Sequence, residues 1–109
     1  MRGGDEMSNV TKVAARKMLS DVPPEKVFWC CDGKTFKNMP ELAAGLKEMS
    51  DETFRYHSNE TKTDFSNWVK DVVGDEELSR NLLKSTTSAL AAEYVGNRVT
   101  FLKTQMKTK

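Results

Sequence analysis

The tightest constraint on this chain of 109 residues is the run from Phe65 to Leu78. Phe65, Trp68, Val69, Val72 and Val73 fall at i, i+3, i+4, i+7 and i+8. That spacing sets large apolar groups on one stripe of a helix, wide enough to face a core. Gly74 comes next, where a helix end favours a residue that can take positive φ. Asp75 then precedes Glu76, Glu77 and Leu78, the pattern of an N-cap with acidic residues in the first turn of a new helix. The segment therefore predicts a helix, a tight corner and a second helix, with Trp68 inside the molecule.

The rest of the chain is just long enough to complete one core around that corner. Charged residues make up 30% and apolar ones 38%, a balance that suits a globular chain rather than wholesale disorder. Seventeen basic residues against sixteen acidic ones leave a net charge of +1, so global charge favours neither nucleic acid nor an anionic membrane. No apolar run approaches the roughly 20 residues of a membrane span. The opening residues contain no apolar signal core. The expectation is a cytoplasmic protein with no membrane partner.

Taken in order, residues 1–7 read as a disordered tail, 8–104 as a single helical domain with a hairpin, and 105–109 as a frayed basic tail. Ser8 can cap a first helix over about 9–20, with Val10, Val13, Ala14 and Met18 as its apolar side. Pro23 and Pro24 end it. Two β-prone runs flank Asp32-Gly33, a strong hairpin signal near residues 27–37. A two-residue turn there would set Trp29 opposite Phe36, Cys30 opposite Thr35 and Cys31 opposite Lys34. Asn38 and Pro40 open a helix carrying Leu42, Ala43, Leu46 and Met49, and Ser50 restarts a short one carrying Phe54, Tyr56 and His57. A helix over 59–73 follows, then one from Asp75 to about Lys84. The last runs over about 88–104, with Leu90, Ala91, Tyr94, Val95, Val99 and Leu102 inward. Gly96 within it marks a close helix crossing. The expected class is mainly α (α+β): about five helices with one β-hairpin.

Part of this pattern resembles a known family. Tyr56-His57, Asn59-Glu60, Lys62, Asp64-Phe65, Trp68-Val69, Val72, Gly74-Asp75 and Leu78 are similar to the signature of small archaeal and bacterial domains of unknown function. The upstream stretch from Phe28 to Phe54 is similar as well, with an aromatic strand, an Asp-Gly turn and an Asn-x-x-Glu-Leu helix start. The resemblance covers roughly residues 25–100. It implies a compact single domain in an intracellular setting, and it assigns no catalytic residues.

Candidate sites are few. His57, Asn59, Glu60, Lys62 and Asp64 form the densest cluster of functional side chains, and His57, Glu60 and Asp64 would serve an acid–base or small-ligand site. Capping and helix-start chemistry explains the same residues more economically. Cys30 and Cys31 are adjacent. As neighbours on a strand they point to opposite faces, which disfavours a disulfide between them. With no CxxC and one histidine, a zinc site of the usual spacing is absent, and neither metal nor cofactor is expected. Lys12, Arg16, Arg98 and Lys103 would supply a basic patch for nucleic acid if the first and last helices lay side by side. The leading expectation is a non-enzymatic interaction module with a protein partner. A nucleic-acid binder and a small-ligand site at His57 are the alternatives.

Overall fold

The computed structural model describes residues 10–107; the expected cap at Ser8 and the 1–7 tail lie outside them. Among the described residues the elements in order are α1 (Lys12–Leu19), β1 (Phe28–Trp29), β2 (Thr35–Phe36), α2 (Met39–Glu48), α3 (Asp51–His57), α4 (Asp64–Trp68), α5 (Glu76–Leu82) and α6 (Ser88–Lys107). A mainly helical globule with one antiparallel hairpin is what the patterning predicted.

Caps explain most of the boundaries. The Thr11 hydroxyl accepts from the Ala14 N–H, Asn38 from Glu41, Ser50 from Thr53 and Asp75 from Leu78, each filling one of the orphan donors of a first turn. The Leu90 N–H donates to Thr87 at the head of α6. That helix continues to Lys107, beyond the boundary expected at 104.

Helix α1 starts later and turns differently from the sequence expectation. Ala15 is its fully buried residue, while Val13 is 74% exposed. The short apolar side chain lets α1 lie close to α6, and Val10, Met18 and Leu19 pack at the flank.

The central helix holds its predicted face but not its predicted length. Phe65, Trp68, Val69 and Val73 are buried and Val72 is half-buried. Helix α4 begins at Asp64 rather than Asn59. The Asn59 side chain instead accepts from the N–H groups of Thr61 and Lys62, closing a local turn. After Trp68 the helix widens into a π-helical turn, Val69–Val73, in which the Gly74 N–H donates to the Val69 carbonyl at 2.8 Å. Gly74 has φ +89, the left-handed end its position predicted.

The hairpin corrects the expected register. Phe28 pairs with Phe36 and Trp29 with Thr35. The Gly33 N–H donates to the Cys30 carbonyl and the Cys30 N–H to the Lys34 carbonyl, with Gly33 at φ +95. The Asp-Gly pair thus ends a three-residue loop closed by a left-handed glycine, not a two-residue turn. A slip of one residue exchanges the two faces of a strand. Phe28 and Cys30 go inward, and Trp29 goes out to 71% exposure.

The inward face of the hairpin completes an aromatic core. The Phe28 ring stacks on Phe65 at 4.9 Å between centroids, Phe54 stacks on Phe65 at 5.6 Å, and Trp68 meets the edge of Phe28 at 6.0 Å. Burying each such ring contributes about 1.5–3 kcal/mol. Trp68 also donates its indole N–H to the Lys26 carbonyl at 2.8 Å, tying the approach to β1 onto the central helix. The close approach expected at Gly96 occurs at Gly45 instead. A Cβ there would run into the Phe36 ring, whereas Gly96 faces open space.

Candidate functional site

His57 is the last residue of α3, delivered to the core because α3 presents Phe54 and His57 on one face, three residues apart. His57 is buried at 4% exposure, its ring packed against both Phe28 and Phe65. Both nitrogens are engaged. The Cys31 backbone N–H donates to Nε2 at 3.0 Å, and Nδ1 lies 2.9 Å from Asp64 Oδ2. Accepting at Nε2 requires the imidazole to carry its proton on Nδ1, where it is donated to the carboxylate. The histidine therefore bridges the hairpin tip to the first residue of α4, and its tautomer follows from its neighbours.

Asp64 is shared. Lys62 Nζ stands 3.4 Å from the same Oδ2 and 4.2 Å from the Tyr56 ring centroid, so an ammonium covers the outer edge of the cluster. Tyr56 is 56% exposed and meets the His57 ring edge-on at 4.9 Å. Glu60 does not join them. It is exposed and lines a separate cleft of about 380 Å³ with Arg55, Ser58, Asn59, Thr63, Leu83, Ser85 and Thr86. His57 and Asp64 are not among the residues of that cleft. Of the three residues expected for acid–base work, two form a closed hydrogen-bonded pair and the third stands apart.

The hairpin loop adds what sequence spacing did not suggest. Cys31 is the first residue of the loop rather than a continuing strand residue, so its side chain need not oppose that of Cys30. The Cys30 Sγ, the Cys31 Sγ and a ring nitrogen of His57 all lie within 4.8 Å of one another. Cys30 is buried and Cys31 exposed, and both thiols are free. Burial pushes the Cys30 thiol above its usual range, and the nearby Asp32 carboxylate acts on it too. Asp32 accepts from the Lys34 N–H at 3.0 Å, a bond that holds its carboxyl below the usual range. No CxxC spacing announces this grouping, because the histidine arrives from 26 residues further along the chain. The only sequence signal was the coincidence of a Cys-Cys loop and a lone histidine in one small domain.

The basic residues separate into two kinds. Lys12 and Arg16 on α1 and Lys103 on α6 are exposed. Arg98 is not part of that surface. Its Nε donates to Asp75 Oδ2 at 2.7 Å and an Nη donates to Oδ1 at 2.9 Å, with a guanidinium nitrogen 3.6 Å from Glu77. Its side chain is 11% exposed and that of Asp75 is 1% exposed, so this guanidinium holds the α5 cap onto α6. The N-cap at Asp75 was legible in the sequence; its partner 23 residues away was not.

Comparison with known proteins returned no matching family model, no curated relative and no similar solved structure. No helix among the described residues is long and apolar enough to cross a membrane.

Proposed function

We propose that this protein is a small non-enzymatic interaction module whose contact surface is the outer face of the hairpin. The observation that carries this reading is the 71% exposure of Trp29 on a hairpin whose other aromatic residues are all in the core. A tryptophan held on a paired strand offers a large apolar area at little conformational cost, and tryptophan leads the residues that dominate binding energies at interfaces. Lys26, Lys34 and Lys37 are exposed around it; Lys34 pairs with Glu48 at 3.8 Å and Lys37 with Asp21 at 4.0 Å, so the rim of this surface carries both charges. The partner that fits is a protein surface with an apolar slot for the indole and a polar rim of mixed charge.

Against acid–base catalysis stands the engagement of both His57 nitrogens in a buried bridge. Against nucleic-acid binding through the four basic residues stands the commitment of Arg98 to Asp75. The test compares wild-type protein and Trp29→Ala as baits, with captured proteins quantified by mass spectrometry and the best prey purified. Loss of an interface tryptophan should weaken binding to that prey at least about tenfold. Identical capture by the two baits would remove the proposal. Salt-sensitive binding of an oligonucleotide in fluorescence anisotropy, unaffected by Trp29→Ala, would replace it with the nucleic-acid reading.

A further inference from the structure

We propose that Cys30, Cys31 and His57 form a binding site for one thiophilic d¹⁰ metal ion, zinc(II) or copper(I). The three side chains supply two sulfurs and one imidazole nitrogen, the ligand set such ions prefer. Their ligand atoms lie within 4.8 Å of one another. Bond lengths of about 2.3 Å to sulfur and 2.0 Å to nitrogen set tetrahedral ligands roughly 3.5–3.8 Å apart, so the cluster needs to close by about 1 Å. The movement falls on the hairpin loop, whose residues from Cys31 to Thr35 are exposed and which turns on the left-handed Gly33.

The histidine is already oriented as a ligand. Metal-binding histidines donate their second ring N–H to a carboxylate, which fixes the tautomer and aims the free lone pair. Here Nδ1 is paired with Asp64 at 2.9 Å, and the Nε2 lone pair faces Cys31. In the metal-free protein that lone pair accepts the Cys31 N–H. The ion takes its place there, and the Cys31 N–H turns to water at the exposed loop. A zinc ion displaces two thiol protons to solvent, while His57 gives a lone pair and keeps its Nδ1 proton. The two thiolates then balance the zinc charge. Cys30 and His57 bury one side of the site, exposed Cys31 leaves an entry path, and Asp32 or water completes a fourth position.

The experiment uses the full chain, reduced with a phosphine and stripped of metal by a chelator. Titration with cobalt(II) as a spectroscopic probe should give a thiolate-to-metal charge-transfer band that saturates at one equivalent and is bleached by zinc(II). Copper(I), delivered from a chromophoric chelator, tests the second ion at the same ligands. Cys31→Ser, at an exposed position, should leave the metal-free melting temperature unchanged and lower affinity at least about tenfold, since one of three protein ligands is lost. Asp64→Asn should lower it about 10- to 100-fold by removing the carboxylate behind the histidine. Nitrogen-15 spectra of the imidazole should show the change on binding at Nε2 and not at Nδ1. The proposal is overturned if the band does not saturate at one equivalent, if Cys31→Ser binds as tightly as wild type, or if Nε2 is unmoved.

Discussion

Two of the polar linkages in this fold, one at the α4–α5 corner and one at the hairpin, are built on opposite terms. Each uses an aspartate at a helix start to join segments far apart in the chain. At the α4–α5 corner, Asp75 caps α5, is 1% exposed in its side chain, and meets Arg98 through two charge-assisted hydrogen bonds. At the hairpin, Asp64 is 32% exposed, shares one oxygen between His57 and Lys62, and reaches the hairpin only through the histidine ring. The first linkage is sealed and every group in it has its partner. The second ends in a backbone N–H beside an exposed thiol, and the Asp64 carboxylate at its other end is partly open to solvent. A buried charge pair is a structural commitment, because neither partner can leave without stranding the other. The histidine bridge can be exchanged, which is the property a ligand site needs.

Arg98→Ala should break the sealed linkage with the largest effect. It strands the Asp75 carboxylate in the core and should lower stability by about 3–5 kcal/mol in urea denaturation. Overpacking provides a reference that involves no charge: Gly45→Ala drives a methyl group into the Phe36 ring and should cost about 1–3 kcal/mol. His57→Phe keeps the ring packing with Phe28 and Phe65 but removes both hydrogen bonds of the bridge. It should cost about 1–3 kcal/mol, toward the lower end because the Cys31 N–H can turn to solvent. Hydrogen exchange at the Cys31 amide should accelerate in that variant while exchange in α6 does not. A double-mutant cycle on Asp75 and Arg98 should give a larger coupling than one on Asp64 and His57. Equal couplings would erase the distinction drawn between them. Trp29→Ala should change stability by no more than about 0.5 kcal/mol, as an exposed substitution does. A larger loss would mean that the indole supports the hairpin rather than a partner.

The hairpin and the central corner also differ in how legible they were. At the corner, apolar spacing, a glycine and a capping aspartate all act within a few residues, so Phe65, Trp68, Val69, Gly74 and Asp75 could be placed from sequence. At the hairpin, Asp-Gly is compatible with two loop lengths, and the choice between them sends Trp29 inward or outward. The choice is made by packing. Phe28 fills the space between Phe36 and Phe65, and Gly45 leaves room for the Phe36 ring. In α1, Val13 looked like the better core residue, but close approach to α6 selects the smaller Ala15.

Sequence alone determined the class of fold, the starts of α2, α3 and α5 at Asn38, Ser50 and Asp75, and the inward face of the middle helix, because these follow from periodicity and hydrogen bonding within a turn or two. Tertiary structure decided the hairpin register, the pairing of Arg98 with Asp75 and the meeting of His57 with Cys30 and Cys31. Those depend on which distant surfaces fit together, and local patterning carries no record of a partner more than twenty residues away.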